Sequence, residues 1–317
     1  MNLKNAQPVL EGTAPSVPHL DSKRGIDGAM PSNRAFTLVE LMVVLATLAL
    51  LAALLLPALA NTGPDSAAAQ CRSNQRQLMV AWAMYSDDNR DVLPLNTDQS
   101  ASLGTPPNLY PPWASGILDW TSSTANTNGL YVTDPRASSL ARYGGAKASL
   151  FRCPSDNYLS AVQRAARYQF RARSISMDGA VGGGNPTQGQ QGYKPAPSLV
   201  PPLLANFFYA VKRSQLVSPG PASSWVLIDE NPDSLDDSIY YSDPYATNGL
   251  GQFTELPSSS HDGGATVSFG DGHVEIHRWT DSRTAHAVTY TAFQRVNISG
   301  QPSADLAWLA QHTPRAP

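Results

Sequence analysis

Residues Phe36 to Ala60 read FTLVELMVVLATLALLAALLLPALA, an apolar run whose only charge, Glu40, stands four residues inside its start. At about 1.5 Å of rise per residue, a run of this length crosses a hydrocarbon core roughly 30 Å thick as one helix. It therefore reads as a membrane segment. An ionised acid near the centre of such a segment costs on the order of 3 kcal/mol, so a chain that keeps one is expected to supply it with a partner.

Cleavage between Ala35 and Phe36 would place a new α-amino group at the head of the helix, with Glu40 the fifth residue from it. The helix dipole favours a carboxylate in the first turn, and a neighbouring chain's free amine offers a counter-charge. Such helices would gather into a staggered bundle. Residues Ala35 to Leu41 resemble the signature of the type IV pilin and type II secretion pseudopilin superfamily: a small residue, then Phe-Thr-Leu-Val-Glu, then a long apolar helix. The resemblance implies that a prepilin peptidase removes the leader on the cytoplasmic side and methylates the new terminus, Phe36. It also implies that Glu40 registers one subunit against the next, with other pilin or pseudopilin subunits and an inner-membrane assembly platform as partners. Pro57 falls where these helices commonly carry a proline, at the cost of one backbone hydrogen bond and a bend. Ala35 departs from the glycine that the family prefers before the cut.

Residues 1–35 hold Pro, Gly, Ser and mixed charge with no apolar stretch, and are expected to be a disordered cytoplasmic leader. Met30 offers a second start, giving the short leader MPSNRA. Arg34, Lys23 and Arg24 set the amino terminus inside by the positive-inside rule. The expectation is a single pass of the inner membrane, with the carboxyl-terminal head periplasmic or in an extracytoplasmic filament. Two other readings stay open. Ala58-Leu59-Ala60 has the small-x-small form of a secretory signal peptidase site, although the run exceeds the usual apolar region of about 7–15 residues. Alternatively, the segment is an anchor that is never cut.

Composition bounds the rest. Of 317 residues, those after Ala60 suffice for one sizeable domain, and 22 basic against 25 acidic residues are scattered without the stripe expected of a nucleic-acid binder. The two cysteines, Cys71 and Cys153, fall on the side expected to face an oxidising compartment. A disulfide between them is one reading and two buried thiols the other. Their separation of more than 80 residues, without nearby His pairs, speaks against zinc.

Asn61-Thr62-Gly63-Pro64 interrupts the helical pattern, with Pro64 suited to the first position of a new helix. The next segment, 61–90, places Cys71, Leu78, Trp82 and Tyr85 on one face, with Arg72, Gln75, Arg76 and Asp87 mostly elsewhere, as in an amphipathic stalk helix. The head, 91–317, opens with a loop carrying Trp113 and Trp120, followed by strand signals in 168–177 and 224–229.

Residues 261–279, HDGGATVSFGDGHVEIHRW, read as a hairpin turning at Gly270-Asp271-Gly272, with Val267 and Phe269 sharing a face with Val274 and Ile276. The stretch resembles the His-x9-Asp-Gly element at the end of many large prepilin-like proteins, with His261, Asp271 and Gly272 at the matching positions. Further pieces of that family match at Cys71, Asn74 and Leu78, at 151–156, at 173–179 and at 224–230. A hydrogen bond from His261 to the hairpin is the expected role of that side chain, ahead of metal or acid–base chemistry shared with Asp262, Asp271, His273 and His277. Asp229, Glu230, Asp233, Asp236 and Asp237 raise a weaker alternative, calcium on hard oxygen ligands, since some pseudopilins bind it in a head loop; otherwise they form a solvated acidic loop. No other cofactor is expected.

No phosphate loop, nucleophile elbow or HExxH motif occurs, so nothing points to an enzyme. The chain reads as α+β, a long amino-terminal membrane and stalk helix packed on an antiparallel sheet. Its expected function is as a prepilin-like structural subunit of a type IV pilus or type II secretion pseudopilus. The competing reading is a membrane-anchored periplasmic binding domain that never polymerises.

Overall fold

The computed structural model describes residues 37–59, 64–96, 111–183, 208–292 and 295–316. The leader, Ala35, Phe36 and Ala60 lie outside them. The chain divides into two units, 1–56 and 57–317.

Helix α1 spans Leu38–Leu59, and Pro57 falls inside it. Its side chains are described as far as Leu51, and each is exposed, Leu38, Val39, Met42 and Leu50 by more than 60%. Thr47 donates its hydroxyl to the carbonyls of Val43 (3.0 Å) and Val44 (2.9 Å), so a polar group in an apolar helix is satisfied by its own backbone. Among the described residues, no helix is long and apolar enough to cross a membrane. The expected span, 36–60, includes residues beyond those whose side chains are described.

In the second unit, α2 spans Pro64–Asp88, with the proline at its first position as the missing amide donor allows. It stops where Arg90 and Asp91 take positive φ and the Asp91 amide reaches back to the Ser86 carbonyl at 2.8 Å. Cys71, Asn74, Gln75, Leu78, Met79, Trp82 and Ser86 form its buried face at three- and four-residue intervals. Gln75 belongs to that face, contrary to the sequence reading. Helices α3 (Leu130–Thr133) and α4 (Ala161–Ala165) are short, and α4 starts in a capping box between Ser160 and Gln163.

The main sheet has the order β3-β1-β2-β5-β6, built from β1 (Ile175–Asp178), β2 (Trp225–Asp229), β3 (Ile239–Tyr240), β5 (Gly264–Phe269) and β6 (Val274–Arg278). Its pairings are antiparallel except for β1 with β3, so the sheet is mixed rather than antiparallel throughout. β4 (Gly251–Phe253) and β7 (Val296–Ile298) form a small antiparallel second sheet, and α5 spans Ala304–His312. The chain is α+β, an amino-terminal helix followed by a sheet, as a pilin-like fold requires.

Strands β1, β2 and β5 are buried along their whole length because both faces of the sheet are covered. One core gathers Leu78, Met79 and Trp82 of α2 with Ile175, Met177, Val226 and Leu227. The other gathers Trp225, Ile228, Val267 and Phe269 with Leu306 and Leu309 of α5. A bulge between Trp225 and Leu227 lets adjacent residues of β2 serve the same core.

The β5–β6 hairpin forms as expected, but its register differs. The Phe269 amide bonds the His273 carbonyl at 3.0 Å, closing a three-residue loop. Thr266 therefore faces Ile276 and Ser268 faces Val274, while Val267 faces Glu275. An odd loop sets an odd register, and a one-residue slip exchanges the two faces. Val274 and Ile276 thus share a face with Thr266 and Ser268 rather than with Val267 and Phe269.

Candidate functional site

At the head of α1, Thr37 and Glu40 cap each other. The Thr37 amide and hydroxyl each donate to Glu40 Oε2 at 2.8 Å, and the Glu40 amide donates to Thr37 Oγ1 at 3.2 Å. This is a capping box with Thr37 at the cap and Glu40 third in the helix. The Thr-x-x-Glu spacing that signals it stands in the sequence, beside the dipole and subunit-register roles already expected of Glu40. The cleavage pair Ala35 and Phe36 lies outside the described residues.

The densest chemistry of the head lies under α2. Cys71 from that helix, Cys153 just past the turn at 148–151, Asp229 at the end of β2 and His261 just before β5 bring one ligand atom each to within 4.8 Å of one another. All four residues are buried. Cys71 Sγ donates to Asp229 Oδ2 at 2.9 Å, Cys153 Sγ lies 3.1 Å from His261 Nε2, and that nitrogen lies 3.5 Å from Asp229 Oδ2. Gln75 Nε2 holds the other carboxylate oxygen, Asp229 Oδ1, at 3.3 Å, and also bonds the Thr266 carbonyl at 3.1 Å. The Ser155 amide points at Cys153 Sγ from 3.4 Å, and the Cys153 amide is anchored on the Ser174 hydroxyl at 2.7 Å.

Electrostatics divide the cluster. Burial pushes the Cys71 thiol well up, whereas the bond from Cys71 pulls the Cys153 thiol down against its own burial. Burial acts downward on His261, but its bonds to Asp229 and Cys153, and the charge on both, outweigh it and lift the imidazole to about 10. A cysteine, a histidine and an aspartate within reach suggest a nucleophile, a base and its orienter. That relay needs the carboxylate on the far ring nitrogen, and here Asp229 and Cys153 share Nε2, while His261 Nδ1 has no hydrogen-bond partner among the described residues. The arrangement suits coordination better than proton relay.

The remaining expected residues land elsewhere. Cys71 and Cys153 lie side by side as buried free thiols. The fold brings a nitrogen and an oxygen donor to the two sulfurs from residues remote in sequence. His261 turns its ring to this cluster and meets the hairpin through backbone bonds with Gly264, so the expected side-chain bond to the hairpin is not made. Asp271 stands at the hairpin tip, accepting from the His273 amide at 3.0 Å, with Gly272 beside it at positive φ. His261 and Asp271 therefore flank opposite ends of β5, about 20 Å apart at the usual strand rise, and share no site. His273 stacks on Phe269 at 4.2 Å and His277 on Trp308 at 3.7 Å, which makes both packing groups.

The acidic set does not converge as calcium would need. Glu230 turns into the head, accepting from the Ser176 and Ser234 hydroxyls, and burial lifts its carboxyl to about 8. Asp233 accepts from the Thr289 amide and hydroxyl at 2.6 and 2.8 Å. Asp236 and Asp237 cap the backbone at Asp237 and Ile239. Among the described residues, the group that converges as metal ligands is the Cys71, Cys153, Asp229 and His261 set. Sequence reasoning missed it because its members lie on four segments with no spacing pattern.

Residues 30–56 match a family described as the prokaryotic N-terminal methylation motif. Residues 67–203 match a second family, described as a protein of unknown function (DUF1559). No curated protein and no solved structure matches the chain. The first match takes in Phe36 and Glu40, and the second takes in Cys71 and Cys153.

Proposed function

Because the chain is a type IV pilin-like protein, with the methylation motif ahead of an α+β head, we propose that it is a structural subunit of a type IV pilus or type II secretion pseudopilus. A prepilin peptidase cuts between Ala35 and Phe36 and methylates Phe36. The apolar segment 36–60 then holds the subunit in the inner membrane, with the head on the outer side, until an inner-membrane platform moves it into a filament beside other pilin or pseudopilin subunits. The observation that carries this reading is the methylation motif on a helix whose described side chains are apolar apart from Glu40 and Thr47. A helix of that kind needs apolar surroundings all round, which a bilayer or a bundle of like helices supplies.

Assembly gives Glu40 its second task. In the single chain its carboxylate is engaged by Thr37. In the filament a neighbouring amino terminus brings a full positive charge to the same group, and the two share a low-dielectric core.

Mass spectrometry of the mature protein from membranes tests the processing. A chain beginning at N-methyl-Phe36 is the expected result. A chain that keeps residues upstream of Phe36, or one that begins at Asn61, overturns it. Glu40→Leu keeps the segment apolar and is expected to leave the protein in the membrane while abolishing its appearance in sheared filaments; unchanged assembly refutes the role given to Glu40.

A further inference from the structure

The head carries a second piece of chemistry that filament assembly does not use. We propose that Cys71, Cys153, Asp229 and His261 form a structural zinc site that fastens helix α2 to the sheet.

The donor set is the first argument. Two sulfurs, one imidazole nitrogen and one carboxylate oxygen make a tetrahedral S2NO shell, which suits zinc among the common divalent ions. Standard bond lengths put the ligand atoms of such a shell roughly 3.3–3.8 Å apart. Here the measured separations are 2.9, 3.1 and 3.5 Å, all within a 4.8 Å envelope, so shifts of a few tenths of an ångström up to about 1 Å would seat the ion.

Orientation is the second argument. Gln75 occupies Asp229 Oδ1 and leaves Oδ2 facing both Cys71 and His261, which presents the carboxylate through a single oxygen. The Ser155 amide aimed at Cys153 Sγ favours a thiolate there. His261 directs Nε2 at the cluster, the ring nitrogen that the ion would take. Binding then displaces to solvent the protons held on the two thiols and on His261 Nε2.

Burial is the third argument. Asp229 and His261 expose only 1% and 2% of their side chains, and the four protein ligands would leave no open coordination position. Such a closed shell is structural rather than catalytic. The four ligands come from four separate segments, so the ion would join the stalk helix, the turn after 148–151, β2 and the approach to β5.

The test uses the full chain, purified in detergent without chelator and under reduced conditions, with zinc measured by elemental mass spectrometry. A single equivalent per chain is expected, falling roughly tenfold or more in Cys153→Ser and in His261→Ala. Since either variant could fail to fold, the unsubstituted chain is also stripped with chelator and titrated with cobalt. The expected spectrum has a thiolate charge-transfer band and intense tetrahedral ligand-field bands, and zinc abolishes both. The thiols are expected to resist alkylation with zinc bound and to react after it is removed. The proposal is overturned by protein that takes up neither zinc nor cobalt, by a disulfide in the isolated chain that still binds no metal once reduced, or by zinc retained in full by folded Cys153→Ser. None of these outcomes depends on whether the leader is cut.

Discussion

Gln75→Met tests whether one amide locks the stalk helix to the sheet. The wild-type side chain is fully buried and makes three bonds: Nε2 to Asp229 Oδ1 at 3.3 Å, Nε2 to the Thr266 carbonyl at 3.1 Å, and Oε1 from the Ser268 hydroxyl at 2.5 Å. Methionine has similar length and no donor, so it fills the space and orphans three polar groups. A buried polar group left without a partner costs about 1–3 kcal/mol, and favourable burial of the thioether returns part of the total. The expected net loss is about 3 kcal/mol. Gln77→Met, on the exposed side of the same helix, should stay within about 0.5 kcal/mol of wild type. Urea unfolding of the full chain in detergent, followed by near-ultraviolet circular dichroism with chelator present throughout, compares the two. If Gln75→Met unfolds within about 0.5 kcal/mol of Gln77→Met, the amide does not join α2 to β2 and β5, and the packing argument fails.

Other consequences follow from single contacts. A Cβ at Gly264 would sit 2.4 Å from the His277 carbonyl oxygen, whereas one at Gly263 meets nothing within 4 Å and suffers only its positive φ. Gly264→Ala should thus cost about 3 kcal/mol or more and Gly263→Ala about 1–2, and equal unfolding midpoints would contradict the hairpin geometry. The side chain of Arg283 holds the Asp281 carboxyl down to about 2 from 3.8, so its contribution is complete above about pH 4 and disappears as pH falls toward 2. Asp281→Asn should flatten that acid limb in urea midpoints taken from pH 5 to 2; parallel curves would refute the coupling. Thr37→Val removes the cap hydroxyl and should cost about 1 kcal/mol in the first turn of α1. Amide exchange in micelles should then quicken at Glu40 and stay unchanged at 43–51.

Local chemistry was legible in the sequence, and convergence was not. The apolar run, β2 in WVLID and the hairpin at Gly270-Asp271-Gly272 each announce themselves through composition within a few residues. The face pairing of that hairpin is fixed by the same three-residue turn, which sets Phe269 against His273 and so Val274 and Ile276 against Ser268 and Thr266. Gln75 faces the core side of α2 although its polarity suggests solvent, because its partners lie more than 150 residues away in sequence. Asp229 and Glu230 illustrate the same limit: adjacent acids on one segment, they turn to separate networks on opposite sides of a strand. The cysteines raised the question of a disulfide, and only the fold shows that His261 and Asp229 join them.

The margins of the main sheet bear on how copies of the head meet. At one end lies β3, only two residues long, and at the other β6, which carries Glu275, His277 and Arg278 on partly or fully exposed positions. A short rim and a charged rim both discourage a stranger's strand from hydrogen-bonding alongside. Both margins are thereby guarded against taking up a strand from another chain, and the sheet ends where its own strands end.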